Sequence, residues 1–396
     1  MIDFNFDKVN NFINKNNFND LLMRKSEIYS KFNDAYMTGW IKRISDDEIN
    51  KIIEVSRNIR QHSKCLVVVG IGGSFLGSYA VKEMLRQYFN DDSFDVIYAG
   101  TTLSSKYMNE LLTYLEGVDF SINIISKSGT TMETTITYKL IYELMEKKYS
   151  GEELRKRIIV TTDKVKGSLR KEVEEFGYTS FEIPDDIGGR YSIMTAAHLF
   201  PLAFNIDLKS FVEGYYEGES YKEKAFKYAA TRVSLFNSGK MVENFVTYEE
   251  NTYYFTEWLK QLFGETEGKS GKGIFPVSTI HTRDLHSLGQ FVQEGNKILF
   301  ETFLKVNSSD DIMYNGKSLH EINNIVLDSV RNAHESGNVP SIMFTVDRID
   351  EKIIGSLMYF FMLAASFSGF LFEIDPFDQP GVEVYKKEVR ENLGAL

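Results

Sequence analysis

Cys65-Leu66-Val67-Val68-Val69-Gly70-Ile71-Gly72-Gly73-Ser74-Phe75-Leu76-Gly77 is the stretch from which the fold can be read. Its first five residues form a short, largely β-branched apolar run. Glycines then supply a turn, and the pattern from Phe75 to Phe89 is helical. A strand that feeds a helix through a glycine turn is a place where backbone N–H groups and a helix N-terminus can meet a phosphate. The spacing is not that of a dinucleotide fingerprint, because the third glycine of G-x-G-x-x-G would fall on Phe75. Taken alone, these glycines also fit a tight turn that binds nothing.

The same rhythm continues outward. Asp95–Gly100, Ser121–Ser126, Arg157–Thr162 and Ser180–Pro184 read as strands, and Lys106–Leu115, Met132–Tyr149 and Ser168–Phe176 as helices. Such alternation predicts an α/β fold, a parallel sheet with helices on both faces. The second half repeats the class less cleanly, with strands over Ile298–Val306 and Pro340–Val346 and helices over Leu319–Glu335 and Ile349–Phe372. With 396 residues the chain exceeds one ordinary core. The expected division is a mainly helical segment over residues 1–60, packed around the outside, then α/β domains over residues 61–210 and 211–396. The charged, glycine-containing stretch Asn205–Lys227 reads as the passage between the two halves.

A hydrophobic content of 43% is ample for globular packing, and the formal net charge of −11 has the wrong sign for a nucleic-acid binder. An anionic substrate must therefore be held by local donors against the overall field. The single cysteine, Cys65, rules out a disulfide framework and fits a reducing, cytoplasmic compartment. The N-terminus lacks the basic start and apolar core of a signal peptide. Ile353–Phe372 carries no charge and is long enough to span a bilayer, but it contains Gly355, Ser356, Ser366, Ser368 and Gly369 and has no positive flank. It reads as a helix buried in a large core, so no membrane partner is expected.

Ser126-Lys127-Ser128-Gly129-Thr130-Thr131 gathers four hydroxyls, a glycine and an ammonium after another strand and before another helix. Helix capping accounts for one hydroxyl or two, not for all four. Two such loops at the carboxyl ends of adjacent parallel strands are what a phosphate monoester needs. Gly264-Glu265-Thr266-Glu267-Gly268-Lys269-Ser270 resembles a nucleotide loop but has three residues between its glycines instead of four, and no clear strand precedes it. Its carboxylates are then the point of interest. Proton-transfer chemistry could use Glu265, His286, Arg190 and Lys386, each of which also has a bland reading as a solvated or structural side chain. Residues and spacing alone leave the reaction open.

The segments Gly70–Gly77, Ser126–Thr131, Gly188–Ser192, Gly264–Lys269, Asp284–Gln290 and Asp378–Lys386 resemble, in order, the motifs of the glucose-6-phosphate isomerase (phosphoglucose isomerase) family. The likeness runs from about Gln61 to Lys386 and is closest to the short bacterial form. It implies two α/β domains of the sugar-isomerase (SIS) type, each a parallel sheet flanked by helices. It also implies interconversion of glucose 6-phosphate and fructose 6-phosphate without metal or organic cofactor. By the same resemblance Ser74, Ser126, Lys127, Ser128 and Thr131 hold the phosphate, and Gly73, Gln379 and Gln261 line the substrate pocket. Glu265 is the catalytic carboxylate, His286 opens the sugar ring assisted by Lys386, and Arg190 stands beside the reacting carbons. Glu267 falls where family members vary. The family forms homodimers in which the histidine reaches the neighbouring site.

The chain departs from the pattern by shortening around Asn307–Ile312 and at the C-terminus, and by Ala197-His198 in place of small residues after the arginine motif. His198 reads as structural. Two alternatives remain open at this point: an isomerase that also takes mannose 6-phosphate, and a non-catalytic sugar-phosphate-binding SIS protein.

Overall fold

The computed structural model describes residues 1–89, 93–129 and 131–393. The chain divides into two compact units, Tyr36–Glu213 and Met1–Ala35 with Gly214–Leu396. Residues 1–60 are thus shared between the units rather than forming a segment of their own. Strands are numbered along the chain from β1 (Ile2–Asn5).

The unit over residues 36–213 contains β2 (Cys65–Val69), β3 (Asp95–Ala99), β4 (Phe120–Ile125), β5 (Ile158–Thr162) and β6 (Thr179–Glu182). They form one parallel sheet in the order β3-β2-β4-β5-β6, with Val67 opposite Ile97 on one side and Ile122 on the other. Every residue of β2, β4 and β5 is buried, so β2 reads as a continuous apolar run, while β4 and β5 also bury Ser121, Asn123, Thr161 and Thr162. The helices Leu76–Leu85, Ser105–Glu116, Met132–Lys148 and Ser168–Phe176 alternate with the strands. Ser104 caps the second of these through the Tyr107 N–H, and Gly177 ends the fourth in the left-handed conformation. β2 leads to β3 on one side while β4 leads to β5 on the other. A crevice therefore opens at the carboxyl ends of β2 and β4.

The other unit holds β7 (Val242–Thr247), β8 (Phe275–Ile280), β9 (Leu299–Val306), the short hairpin β10 (Met313–Tyr314) and β11 (Lys317–Ser318), and β12 (Ser341–Val346). Its main sheet runs β1-β12-β9-β7-β8. β7, β8, β9 and β12 are parallel, but β1 pairs antiparallel to β12, with Phe4 opposite Phe344. The second sheet thus has the expected parallel core, and the N-terminal strand adds an antiparallel edge to it. β7 and β8 were not foreseen. β7 buries Glu243 and Asn244 in mid-strand, and β8 lies at the sheet edge with Phe275 exposed, so neither shows a clean apolar pattern.

Glu351–Leu371 is a core helix, with 89% of its most apolar window buried. It packs on the helices Lys222–Asn237 and Tyr253–Glu267, and its Phe360 and Phe361 meet Phe344 and Tyr228. The supposed passage Asn205–Lys227 is largely helical, over Leu208–Glu217 and from Lys222 onward. Its glycines serve close packing: a Cβ at Gly214 would lie 2.2 Å from the Lys352 carbonyl oxygen, and one at Gly218 2.6 Å from the Tyr359 Cβ.

Candidate active site

In the unit over residues 36–213 the glycine loop follows β2 directly. Gly72 has φ +56°, and a short 3-10 turn over Gly72–Ser74 leads into the helix Leu76–Leu85. A Cβ at Gly73 would sit 2.3 Å from the carbonyl carbon of Gly189. The glycine loop and the Gly188–Ser192 motif therefore meet backbone to backbone, and only glycine permits that approach. Ser192 Oγ lies 2.6 Å from the Gly189 oxygen and 3.1 Å from the Gly73 oxygen. Arg190 is 1% exposed, and its guanidinium lies 5.3 Å from the Tyr191 ring centroid. Tyr191 in turn stacks on Trp40.

The second loop leaves the end of β4, next to β2. Ser126 donates its backbone N–H to the Thr161 oxygen (3.1 Å), and its carbonyl accepts from Thr162 Oγ1 (2.8 Å). Its hydroxyl accepts the Gly129 N–H at 3.0 Å, so one of the four hydroxyls has a structural duty. Gly129 has φ +72°, and a Cβ there would meet Ser168 Oγ at 2.3 Å. Thr131 occupies the N-cap of Met132–Lys148, yet its hydroxyl makes no capping bond. Ser128 is exposed. Lys127 donates to the carbonyls of Pro184 and Asp185 and pairs with the Asp185 carboxylate at 3.2 Å. Thr130 lies outside the described residues.

In the other unit, Gly264–Glu267 is the last turn of the helix Tyr253–Glu267, not a strand-to-helix loop. Gln261, one turn earlier, donates to Glu265 Oε1 (3.1 Å), and Gln379 donates to Oε2 (2.9 Å). Both carboxylate oxygens thus take amide donors from residues singled out in the sequence. Lys269 pairs with Asp378 at 2.8 Å, a second tie between the same two motifs.

Glu267 faces the interior and is fully buried. It accepts from both terminal nitrogens of Arg232 and from the Ile274 N–H (3.1 Å). Arg232, also fully buried, donates through Nε to Glu243 (2.6 Å) and through Nη1 to Ser368 Oγ (2.9 Å). This ionic group holds the end of the helix that carries Glu265. Arg232 and Glu243 were not singled out in the sequence. The available signal was an arginine four residues after Tyr228 inside Ala229-Ala230-Thr231-Arg232-Val233, an apolar helical run.

His286 is exposed near the start of the helix Leu285–Glu294, just beyond β8. Lys386 is exposed on Pro380–Leu393 and pairs with Glu383 one turn away. The structure thus brings Glu265, Gln261 and Gln379 together, and leaves His286 and Lys386 on outer helices.

A model of the phosphoglucose isomerase family matches residues 58–321. The chain belongs to that family. The phosphoglucose isomerase match takes in the two loops after β2 and β4, the Arg190 turn, Glu265 and His286. A glucose-6-phosphate isomerase of Staphylococcus saprophyticus is 44% identical over 383 residues, covering 90% of this chain and 86% of the relative. Among solved structures, a hypothetical protein from Thermus thermophilus superposes with TM-score 0.88 at 24% identity, each chain covered in full. A glucose-6-phosphate isomerase from Chlamydia trachomatis gives TM-score 0.80 at 20% identity, over 91% of this chain and 77% of that one. At these identities the structural likenesses speak for the fold, which is that of the phosphoglucose isomerases.

Proposed function

We propose that the chain interconverts D-glucose 6-phosphate and D-fructose 6-phosphate in the cytoplasm, a step of glycolysis and gluconeogenesis. The observation that carries this reading is the Glu265 carboxylate, held on both oxygens by Gln261 and Gln379 in a member of this family. Gly73, Ser74, Ser126, Lys127, Ser128 and Thr131 take the phosphate, whose binding energy orients the rest of the sugar. His286 and Lys386 move the protons of ring opening, one from the anomeric hydroxyl and one to the ring oxygen.

Glu265 then removes the proton from C2. The C–H electron pair forms the C1=C2 bond, and the former carbonyl oxygen takes the negative charge. Arg190, which cannot lose its proton, is assigned that charge. Return of the proton to C1, with transfer of the O2 proton to O1, gives the ketose. C1 is reduced by what C2 loses, so the reaction calls for no external hydride carrier, and the charge assigned to Arg190 calls for no metal.

His286 is proposed to act in the site of a second subunit. Glu265 belongs to the helix end beside Gly264, which approaches Pro276 at the amino end of β8, whereas His286 follows the carboxyl end of β8. Six strand residues separate these ends by about 17 Å, too far for both to serve one sugar from one chain. The surface around His286 offers Leu288 (46% exposed) and Phe291 (50% exposed), apolar area suited to a homodimer contact.

The test follows fructose 6-phosphate turnover in a coupled dehydrogenase assay. Glu265→Gln should keep sugar-phosphate binding by calorimetry and lose at least about 10³-fold in kcat, since only the proton carrier is removed. A wild-type chain that binds the sugar phosphate without turning it over refutes the enzyme reading. Mixing inactive Glu265→Gln and His286→Ala chains should recover about a quarter of wild-type activity per chain, because half the dimers are mixed and each then has one intact site. No recovery would place His286 in its own chain's site.

A further inference from the structure

His198 lies on the short helix Ala196–Leu202, every residue of which is buried, and is itself 2% exposed. A buried histidine is ordinarily a packing residue with one or two satisfied nitrogens. His198 differs in what it joins. Nδ1 accepts the backbone N–H of Ser78 at 3.0 Å. That bond fixes the tautomer, since a nitrogen that accepts carries no proton. The proton is therefore on Nε2, which lies 2.7 Å from the Gly73 carbonyl oxygen and 3.1 Å from Ser192 Oγ.

Each partner belongs to a different piece of the site. Ser78 lies in the first turn of the helix Leu76–Leu85, whose N-cap position is Phe75 and has no side chain that can cap. Its N–H is one of the donors a helix start leaves without an intrahelical acceptor, and His198 supplies the acceptor from across the fold. The Gly73 carbonyl belongs to the rigid peptide plane that leads into Ser74, so fixing the carbonyl fixes the approach to Ser74. Ser192 belongs to the arginine motif and is in reach of both the Gly73 and Gly189 carbonyls. The space is also shared closely: a Cβ at Gly77 would lie 3.2 Å from His198 Cε1.

We propose that His198 is a positioning residue that clamps the glycine loop to the Arg190 turn, so that the phosphate-binding and charge-stabilising segments move as one block. This rests on the reading that the glycine loop takes the phosphate. His198 touches no reacting atom in this account and acts through Gly73, Ser78 and Ser192.

Three variants separate the clamp from simple packing. His198→Ala removes both bonds. His198→Gln keeps a side-chain N–H donor near the Nε2 position, for Gly73, and His198→Asn keeps an acceptor near the Nδ1 position, for Ser78. Two measurements are made on each: amide hydrogen exchange of residues 72–78 and 188–192 in the ligand-free protein, and KM and kcat for fructose 6-phosphate. The clamp predicts faster exchange in both segments for His198→Ala and a KM raised about tenfold, with kcat changed less. It also predicts that His198→Gln recovers most of the KM loss and His198→Asn recovers less, because the Gly73 bond orients the loop. A packing histidine would lower stability without splitting KM from kcat, and Gln and Asn would be equally poor replacements. Unchanged exchange overturns the clamp itself. Faster exchange with an unchanged KM overturns the assignment of phosphate to this loop, and the role of His198 with it. Neither result bears on Glu265→Gln, which tests the chemistry separately.

Discussion

In the first sheet β2 and β4 lie side by side with their connections leaving in opposite directions, and in the second sheet β7 and β9 do the same. Each sheet therefore has one switch point of the kind that receives ligands in open α/β folds. The chemistry at the two points is opposite. After β2 and β4 come glycines and hydroxyls. After β7 and β9 come Glu249 and Asp310, which with Ser309, Thr282, His320 and Asn323 line a cleft of about 380 Å³. Burial holds the Glu249 carboxyl above its ordinary range. A phosphate dianion suits the first place and is repelled by the second. In the second unit Glu265 lies instead toward the amino end of the sheet, on the last turn of a helix whose Gly264 approaches Pro276. A topology used twice has thus been given two kinds of support: backbone contacts between glycines in one unit, and a buried ionic group in the other.

Removing the ionic support should have the largest effect on stability. Arg232→Met leaves Glu243 and Glu267 buried without their cation, and should cost about 3–5 kcal/mol in urea denaturation. A loss below about 1 kcal/mol would mean that the helix end carrying Glu265 is held by apolar packing, and the contrast between the units would collapse.

The corresponding break in the first unit is Gly73→Ala. The added methyl would collide with the Gly189 backbone, neither side of which can swing away, so about 1–3 kcal/mol should be lost and KM should rise. An alanine tolerated without cost would show that the two glycine motifs can part freely.

A gentler probe of the same unit is Ser126→Ala with Thr131→Ala. The Ser126 hydroxyl, proposed to meet the phosphate, also holds the Gly129 N–H, whereas the Thr131 hydroxyl makes no capping bond. KM for fructose 6-phosphate should rise about tenfold or more, with a smaller fall in kcat. Unchanged kinetics would put the phosphate elsewhere.

How far each unit could be read in advance follows the same division. The strands Cys65–Val69, Asp95–Ala99 and Phe120–Ile125 were evident because both faces of their sheet are covered and β-branched, aromatic and other apolar residues dominate the runs. The loops between them were evident because glycine and hydroxyl residues cluster locally in sequence. Val242–Thr247 was not evident, since Glu243 and Asn244 interrupt its apolar pattern and are made tolerable by partners on other elements, Arg232 and Thr302 for the first and Thr279 for the second. The N-terminal strand Ile2–Asn5 finds its partner at Ser341–Val346, a pairing with no local trace. For the same reason Glu265 could be singled out through a family likeness, while the Arg232 group that steadies its helix could not. The sequence marks His198 as a structural residue and no more, because its three bonds exist only once the fold brings Gly73, Ser78 and Ser192 to it.

Buried histidines give the smallest effect, and one that both units share. Burial lowers His198 to about 4 in the first unit. It lowers His281 to about 4 in the second, where Glu301 and Asp284 oppose the shift and His334 adds to it. In the unfolded chain each imidazole takes up its proton near the ordinary value of 6.5. Between those limits the unfolded state binds more protons than the native state, so stability falls as the pH is lowered and is fully restored above about 6.5. Each histidine should contribute about 1 kcal/mol of loss per pH unit over that range. Urea titrations at pH 7 and pH 5 check this: His198→Gln should flatten the slope by one histidine's share, since glutamine cannot titrate. An unaltered slope would mean that His198 takes up its proton in the native protein as readily as in the unfolded chain. With that proton it would donate from both nitrogens and lose the Ser78 bond on which the tautomer argument stands.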